Sequence, residues 1–381
     1  MKIGVMLRTI DRKRGVGIYT NNLMDHLLPL DEKNEYVLFY YNPESLGRYA
    51  RYDHVREKLV QPPLSSLTFR EFSFPDAASR FIWDQVKIPI EAKREGVDLL
   101  FNPADSVPLF AGCKTIMVLH GSEWLTHPQF FKFYDRLYSR IMLPLYYKKA
   151  NLFITNSDTN KRNFVNFLKV SVDKIKTIYF GVAPRFRRID DVPFLRTIKE
   201  NYHLQKFILY VGRIYPGKNF GNIIRAFTKI HTSLPHKIVV VGPPRYGYQS
   251  DDFASIEKLG LQDKIIFVGW VPEADLVALY NLADLFIFPS FFESFGIPLL
   301  EAMACGCPVI ASQTGALPEI AGGAVYLVNP YNPNEIAEAI KKVLTEDKLR
   351  KELIEKGLDR AKAFSWEKCA RETLALFESL K

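Results

Sequence analysis

The stretch that decides the fold is residues 288–306, which read FPSFFESFGIPLLEAMACG. An apolar run of strand type, residues 284–288, leads into it and stops at a proline. Pro298 then occupies a first helical position, and the apolar residues after it predict a buried helix. The sequence therefore predicts a strand, a loop and a helix. The loop at 294–297 would present backbone N–H groups at the helix N-terminus, where phosphate is the usual ligand.

Two carboxylates flank this predicted anion site. Glu293 lies in the loop, and Glu301 lies in the first turns of the helix. Carboxylates beside a phosphate are unfavourable unless they bond to something else, and sugar hydroxyls are suitable donors to them. In the plainer interpretation Glu301 only stabilises the helix dipole and Glu293 is solvated. The spacing by itself leaves both interpretations open.

The spacing and its surroundings resemble the E-x7-E motif of retaining nucleotide-sugar glycosyltransferases of the GT-B fold. This large family includes sucrose synthases and many bacterial mannosyltransferases. The similarity runs through residues 288–312 and continues in the sequence GALPE at 315–319. It implies an α/β fold with two doubly wound Rossmann-like domains facing across a cleft. It also implies that Glu293 acts at the transferred sugar and that Glu301 accepts the ribose hydroxyls.

A second candidate phosphate site follows the apolar run at 207–212. Arg213 and Lys218 lie in the loop between this run and a helix predicted from about Asn219. Two cations at the carboxyl end of a strand suit a diphosphate, because arginine binds bidentately and lysine adds a point charge. Ordinary surface charge is the alternative. The run GRIYPGKN at 212–219 resembles the diphosphate-binding G-R-x4-K element of the family.

The first half of the chain alternates strand and helix six or seven times, which predicts a doubly wound parallel sheet. Gly15 and Gly17 follow the first strand in a loop that resembles the family's glycine-rich loop, which faces donor phosphate and acceptor. His120 ends the fifth strand, at the ligand edge of such a sheet. By itself it is more often structural, but the resemblance implies that it approaches the sugar. Relatives often have an aspartate at the next position, where this chain has Gly121. A role for a carboxylate after His120 would therefore have to be filled by Glu123.

The candidate site residues fall into two groups. The catalytic residues that the resemblance implies are His120 and Glu293. The donor-binding residues that it implies are Gly17, Arg213, Lys218, Trp270, Val271, Ser294, Phe295, Gly296, Ile297 and Glu301. Trp270 either stacks on the nucleobase or fills the core, and the sequence does not decide between these. No Asp-x-Asp is placed to hold a divalent metal, so we expect no metal ion and no cofactor.

Composition narrows the class of protein. The chain has 381 residues, of which 48% are hydrophobic, which suits two domains with proper cores and argues against disorder. The first residues predict a strand and not a signal peptide, and no apolar run reaches the ~18 residues of a membrane span. The cysteines lack metal-ligand spacing and are expected to be reduced and buried, as in a cytoplasmic protein. They are Cys113, Cys305, Cys307 and Cys369.

The net charge of +9 is uneven along the chain, since residues 1–183 hold 26 lysines and arginines against 19 aspartates and glutamates. A basic half suggests an anionic partner. The sequence has no nucleic-acid-binding module, so we expect an anionic membrane surface or a phosphate-bearing lipid acceptor and no nucleic acid. Residues 130–149 mix large aromatic and basic residues. They predict a helix that rests its apolar face on a membrane or packs it on the core.

Three segments are expected. Residues 1–183 form an acceptor-side Rossmann-like domain, residues 184–365 form the nucleotide-sugar donor domain, and residues 366–381 form a last helix that crosses back to the first domain. Residues 61–90 are rich in proline and in exposed-looking aromatics such as Phe81 and Trp83. They are expected to be irregular and to shape the acceptor side.

The resemblance implies a retaining, metal-independent hexosyltransferase of bacterial polysaccharide or lipopolysaccharide assembly. It would move a sugar from a nucleoside diphosphate sugar, with GDP-mannose favoured over a UDP-sugar, to a hydroxyl of a glycan or polyprenyl-linked acceptor. The enzyme would be cytoplasmic or peripheral at the inner face of the membrane. A sugar-nucleotide epimerase and a non-catalytic nucleotide-sugar-binding subunit are the alternatives.

Overall fold

The structure is a computed structural model that describes residues 1–12, 15–61, 74–131, 133–243 and 251–381. It divides into two compact units. Unit 1 comprises Met1–Phe180 and Trp366–Lys381, and unit 2 comprises Gly181–Ser365. None of the described helices combines the length and the apolar character that a membrane-spanning helix needs.

Unit 1 is built on a parallel sheet. Its strands are β1 Lys2–Leu7, β2 Glu35–Tyr40, β3 Val55–Leu59, β4 Leu99–Asn102, β5 Lys114–Leu119, β6 Leu152–Thr155 and β7 Ile175–Thr177. Within the described residues they lie in the order β3-β2-β1-β4-β5-β6-β7, and every pairing is parallel. The helices are α1 Val16–Leu30, α2 Phe74–Ile82, α3 Ile88–Glu95, α4 Glu123–Thr126, α5 Phe133–Lys149 and α6 Asp158–Leu168. The central strands are almost wholly buried, because helices cover a parallel sheet on both faces.

Strand β3 is an element that the sequence does not predict. Its residues VREKL include three charged side chains and no continuous apolar run. It forms at the sheet edge beside β2, where charged residues are common because one side faces water. Lys58 is held there by Glu91 and Glu95 of α3, at 2.7 and 2.6 Å.

The expectation that residues 61–90 are irregular is wrong from Phe74 onward. Residues 62–73 lie outside the described residues, whereas α2, a wider π-helical turn at Trp83–Lys87 and α3 form one continuous helical segment. The π turn ends at Lys87, two residues before Pro89, whose nitrogen has no hydrogen to donate to the preceding turn. Trp83 is buried and donates its indole N–H to the Val60 carbonyl at 2.7 Å, so it is a core residue.

Unit 2 repeats the architecture. Its strands are β8 Phe207–Val211, β9 Lys237–Val241, β10 Ile265–Gly269, β11 Leu285–Phe288, β12 Val309–Ser312 and β13 Tyr326–Val328. Among the described residues they lie in the order β10-β9-β8-β11-β12-β13, again all parallel. The helices are α7 Val192–Asn201, α8 Phe220–Phe227, α9 Asp251–Lys258, α10 Glu273–Leu282, α11 Ile297–Ala304, α12 Leu317–Ala321, α13 Pro333–Thr345 and α14 Asp347–Ala361. The strand order reverses between β8 and β11, and ligands of such sheets bind at that point.

The last helix, α15 (Trp366–Glu378), belongs to unit 1 and packs against α1. Trp366 is buried and stacks on Phe180, with ring centroids 5.8 Å apart, and it also contacts Tyr19 at 6.0 Å. Phe180 and Trp366 are the two residues at which the chain leaves and re-enters unit 1. The helix therefore completes the core of the unit that begins the chain.

The cysteines are free thiols. Cys305, Cys307 and Cys369 are buried, whereas Cys113 is only partly buried, contrary to the expectation for that residue. Burial in apolar surroundings raises the pKa of the three buried thiols, so they stay protonated and unreactive near neutral pH.

Candidate functional site

The two loops that follow β8 and β11 carry the residues that the sequence predicts for the donor. Within the described residues these loops are joined directly, because the Phe291 N–H donates to the Gly217 carbonyl at 2.9 Å. Asn219 joins them again, since its Nδ2 donates to the carbonyls of Pro289 at 2.8 Å and Pro330 at 2.7 Å. Asn219 has a left-handed backbone, φ 60°, and caps α8. Its role could not be read from the sequence, because it depends on contacts 70 and 111 positions away.

Lys218 and Glu293 meet across this junction. The Lys218 ammonium donates to Oε1 of Glu293, and the two side chains are only 17% and 12% exposed. The same ammonium lies 5.1 Å from the centroid of the Phe288 ring, close enough for a cation–π contact. Water screens such a pair less than it screens a surface pair. The structure thus brings together two motifs that are 75 residues apart in the sequence.

Arg213 lies on the same loop as Lys218 and is half-buried. Its Nε is buried and finds no hydrogen-bond partner among the described residues. Its carbonyl accepts from the Tyr210 hydroxyl at 3.2 Å, which holds the backbone at the strand end. A buried donor without a partner is unfavourable, and a bound anion would satisfy it.

Glu301 sits in α11 in surroundings unlike those of Glu293. It is 8% exposed, and the Tyr280 hydroxyl of α10 donates to its Oε2 at 3.1 Å. Burial raises the pKa of Glu301 to about 7, and nearby Glu273 adds to the rise, while the Tyr280 hydrogen bond and Arg185 oppose it. Burial also raises the pKa of Tyr280 well above its usual value, so this hydroxyl stays a donor. Tyr280 could not be chosen from the motif, because it lies on a different helix, α10.

The loop 294–297 leads into α11 as expected. Helix α11 begins at Ile297 with Pro298 in its first turn, and Gly296 precedes it with a left-handed backbone, φ 95°. Phe295 is buried, and its ring lies 6.1 Å from that of Phe364. The Phe295 side chain therefore belongs to the core, and its contribution to donor binding, like that of Ser294, stays a prediction.

Gly315 fixes the backbone of Glu293. A Cβ at Gly315 would lie 2.6 Å from the carbonyl oxygen of Glu293 and 2.8 Å from its nitrogen, and the backbone has φ +64°. The neighbouring Ala316 N–H donates to the Glu293 carbonyl at 2.9 Å. The loop before α12 can approach Glu293 this closely only because position 315 has no side chain.

The loop after β10 carries Trp270 and Val271. Trp270 is 57% exposed, and Phe267, two residues inside β10, is 45% exposed. Trp270 therefore does not fill the core, and its stacking on a nucleobase stays a prediction. Val271 is partly buried next to the start of α10.

In unit 1, His120 is held at the end of β5. Its Nε2 lies 2.7 Å from the Pro103 carbonyl, and because a carbonyl can only accept, Nε2 carries the hydrogen. In the neutral ring Nδ1 is then the acceptor. The His120 N–H donates to Asp105 Oδ1 at 2.9 Å, and Tyr19 packs edge-on against the ring at 5.1 Å.

Gly121 and Glu123 follow His120 in the chain and lie against each other. The Glu123 carboxylate lies against Gly121, since a Cβ at Gly121 would fall 2.0 Å from Glu123 Oε2. Glu123 thus occupies the space that a side chain at 121 would need.

Gly17 is the second residue of α1 and packs on Arg12, whose carbonyl oxygen would be 1.9 Å from an added Cβ. Internal packing accounts for this glycine, and donor binding by Gly17 stays a prediction.

Two family models match the chain in succession. The model described as "Glycosyltransferase Family 4" matches residues 14–186, and the model described as "Glycosyl transferases group 1" matches residues 191–360. The two matches cover nearly the whole of units 1 and 2. The chain belongs to the group 1 glycosyltransferases of the GT-B fold.

Three of the curated relatives are bacterial sugar transferases. The chain is 30% identical over 288 residues to the serotype-specific mannosyltransferase WbdA of Escherichia coli, covering 73% of this chain and 34% of the relative. It is 30% identical over 236 residues to the O-antigen chain mannosyltransferase B of Escherichia coli, covering 61% of each. A Campylobacter jejuni N-acetylgalactosaminyltransferase, whose name specifies a diphospho-undecaprenol acceptor, is 32% identical over 246 residues, covering 63% of this chain and 64% of the relative. The chain thus spans about a third of WbdA and less than two thirds of the other two.

Solved structures agree on the fold. Sucrose-phosphate synthase from Thermosynechococcus elongatus superposes with a TM-score of 0.78 at 21% identity, covering 100% of this chain and 99% of that one. Anabaena HepE in complex with UDP and glucose gives a TM-score of 0.77 at 18% identity, covering 100% of both chains. The predicted fold class is confirmed as two parallel-sheet α/β domains of the GT-B type.

Proposed function

We propose that the chain is a glycosyltransferase that moves a sugar from a nucleoside diphosphate sugar to a hydroxyl group. The observation that carries this proposal is the meeting of Lys218 and Glu293, with Arg213 on the same loop, at the point where the strand order of unit 2 reverses. A cation pair and a carboxylate at one place suit a donor that has a diphosphate at one end and a sugar at the other.

Each residue has a proposed part in holding the donor. Arg213 and Lys218 bind the diphosphate, together with backbone N–H groups at the start of α11. Because Lys218 touches Glu293, a diphosphate on Lys218 would bring its sugar within reach of the Glu293 carboxylate. Glu301 accepts the ribose hydroxyls, and Trp270 with Val271 borders the base.

The donor and acceptor are proposed from the relatives' names. Two curated relatives are mannosyltransferases, which favours GDP-mannose, while UDP bound to HepE keeps a UDP-sugar as the second choice. The Campylobacter relative's name includes diphospho-undecaprenol, which supports a polyprenyl-linked glycan as the acceptor. The enzyme would then work at the cytoplasmic face of a membrane, on an O-antigen or related glycan.

The proposed chemistry proceeds with retention and without a metal ion. The acceptor oxygen bonds to the anomeric carbon on the face from which the diphosphate leaves, and its proton passes to a leaving phosphate oxygen. Arg213 and Lys218 stabilise the negative charge that develops on the departing diphosphate. In a metal-dependent enzyme a divalent cation would perform this role. His120 accepts a hydrogen bond from a sugar hydroxyl through Nδ1.

The first test is calorimetric titration with GDP, UDP, ADP and dTDP, each with and without Mg²⁺. We expect GDP to bind tightest and Mg²⁺ to make little difference. Arg213→Met and Lys218→Met should each weaken GDP about 10- to 100-fold but leave GMP nearly unchanged, because a charge-assisted hydrogen bond contributes about 1.5–3 kcal/mol. Lys206→Met, an exposed lysine at the opposite end of β8, is the matched control. Binding of no nucleotide would overturn the proposal.

Turnover separates the proposal from its alternatives. Glu293→Gln should abolish sugar transfer while nucleotide still binds. Conversion of the donor into an epimer without any acceptor would instead identify an epimerase. Nucleotide binding by the wild type with no turnover on any polyprenyl-linked or free glycan would favour a non-catalytic subunit.

A further inference from the structure

Helix α5 turns an apolar face to solvent. Phe133, Leu137, Ile141 and Leu145 recur every four residues, and all four are exposed, with Phe133 at 70% and Ile141 at 56%. We name them the α5 stripe. The opposite face carries Leu143 and Tyr146, which belong to the core of unit 1. One face of the helix therefore packs on the core, and the α5 stripe forms a second apolar face that is exposed. A surface helix normally carries polar residues on its exposed face.

The helical segment that contains α2 and α3 also exposes apolar side chains. Ile82 of α2, Val86 of the π turn and Ile90 of α3 are exposed and likewise recur every four residues. The two segments are neighbours, since Gln85 Nε2 lies 3.5 Å from the Tyr146 hydroxyl of α5 and 3.0 Å from the Val107 carbonyl.

The loop beside them adds one more apolar side chain. Phe110 is 83% exposed, and Lys149, at the end of α5, donates to the carbonyl of its neighbour Ala111 at 2.7 Å. More than half of the exposed large hydrophobic side chains among the described residues come from residues 81–145. Single exposed apolar residues are ordinary, but a concentration on adjoining elements of one unit marks an interaction surface.

Charge indicates the kind of partner. Arg136 and Arg140 flank the α5 stripe on one side and are exposed, and Lys148 is exposed in the last turn of α5. Guanidinium groups beside an apolar stripe can bind phosphate headgroups while the apolar side chains enter the acyl boundary. A partner protein would need a matching acidic rim, whereas an anionic bilayer supplies negative charge along its whole surface.

We propose that the α5 stripe, together with Phe110 and the exposed residues of α2 and α3, docks unit 1 on a bilayer that contains anionic lipids. This inference rests on the proposed function, because docking would bring the enzyme to a polyprenyl-linked acceptor that resides in such a bilayer. The docking surface lies in unit 1, whereas the proposed donor site lies in unit 2, so the two can be tested separately.

The experiment is flotation with vesicles of phosphatidylcholine alone and of phosphatidylcholine mixed with phosphatidylglycerol, at low and high salt. We expect the full chain to float with the mixed vesicles and to be released by salt. The double variant Leu137→Glu with Ile141→Glu should lower the partition coefficient at least about tenfold, since each change removes an apolar side chain that would enter the bilayer and adds a negative charge that anionic lipids repel. Arg136→Gln with Arg140→Gln should lower it about tenfold or more, and only for the mixed vesicles.

Phe167→Glu is the matched control, because Phe167 is 56% exposed on α6 of the same unit and lies outside the proposed surface. It should float like the wild type. Equal flotation of the wild type and the Leu137→Glu/Ile141→Glu variant would overturn the inference. The inference would also be overturned if the wild type bound no vesicles and instead formed a dimer that the Leu137→Glu/Ile141→Glu variant dissociates.

GDP titration of the same preparations keeps this inference distinct from the proposed function. Loss of flotation with unchanged GDP affinity supports the docking surface. If the wild type floats but binds no nucleotide, the proposed function is wrong and the membrane-docking surface is still supported.

Discussion

Glu293 and Glu301 lie on one loop and helix, yet their environments differ in kind. Glu293 has a cationic partner, Lys218, whereas Glu301 has a neutral one, the Tyr280 hydroxyl. At Glu301 burial disfavours the charged form and outweighs the opposing hydrogen bond from Tyr280, so the pKa of this carboxyl is raised. The resemblance implies that both residues serve the donor, but the difference between their surroundings follows only from the tertiary contacts.

The environment of Glu301 leads to a pH-dependent stability. Its pKa in the fold, about 7, lies above the ordinary 4.5, so the folded state binds the proton more tightly than the unfolded chain does. Stability is therefore lost as pH rises from about 4.5 through about 7. Glu301→Gln removes this effect. We expect the variant to unfold with a free energy close to that of the wild type at pH 5 and about 3 kcal/mol higher at pH 8.

Urea denaturation at the two pH values measures this difference. Glu338→Gln, an exposed glutamate on α13, is the control and should show no such change with pH. A Glu301→Gln variant that differs from the wild type by the same amount at pH 5 and pH 8 would show that Glu301 is charged throughout this range.

At the scale of elements, the site depends on contacts between loops that follow three neighbouring strands, β8, β11 and β12, which are far apart in the sequence. The loop after β8 reaches the loop after β11 through Gly217 and Asn219. The loop after β12 reaches Glu293 through Gly315. The position of Glu293 is therefore set by three loops, and a change in any of them should be felt in sugar transfer.

Gly315→Ala tests this dependence. The added methyl group would meet the Glu293 backbone, so we expect sugar transfer to fall about 10-fold or more while GDP affinity changes little. Gly323→Ala is the matched control, because Gly323 also has a positive φ, +83°, but a Cβ there would meet nothing within 4 Å. The comparison is made by steady-state kinetics with the same donor and acceptor. Equal activity of the two alanine variants would mean that backbone strain alone accounts for any loss.

The sequence predicts most elements, because buried parallel strands are continuous apolar runs bounded by glycine or proline. Strand β1, Lys2–Leu7, forms where the first residues predict a strand. Strand β3 is not predicted, because an edge strand of charged residues has no such run. The segment α2–α3 is not predicted either, because its prolines obscure the helical pattern.

The site is predicted in part for a similar reason. The phosphate and sugar motifs are local, so Arg213, Lys218, Glu293 and Glu301 could be chosen from spacing and resemblance. Tyr280, Asn219 and the contact of Gly315 with Glu293 could not, because they arise from the packing of distant segments. The apolar outer face of α5 could be predicted only as one of two alternatives, since periodicity does not tell which face a core covers.

For the whole molecule, the decisive feature is that unit 1 is discontinuous in sequence. Its last helix, α15, follows all of unit 2, and Trp366 packs with Tyr19 and Phe180. Unit 1 therefore depends on residues that come after 185 positions of unit 2. Unit 2 is continuous and needs no such contribution.

Trp366→Ala should accordingly destabilise unit 1 alone. Truncating a buried tryptophan leaves a cavity, and we expect a loss of about 3–5 kcal/mol in the free energy of unfolding of unit 1. Arg371→Ala, an exposed residue of α15 paired only with Glu367 within the described residues, should lose about 0.5 kcal/mol or less. Hydrogen exchange read by mass spectrometry reports the two units separately. If Trp366→Ala lowered protection in unit 2, or left protection unchanged in both units, the proposed dependence of unit 1 on α15 would be wrong.

The discontinuity also sets an order of events on the ribosome. When Phe180 has been synthesised, the face of α1 that will receive α15 is complete but uncovered, and it stays so until the 185 residues of unit 2 have been made. At about 5–20 residues per second this takes about 10–40 seconds. Unit 2 can thus fold before unit 1 is complete. The uncovered face of α1 is exposed throughout this time, so a chaperone has longest to bind the nascent unit 1.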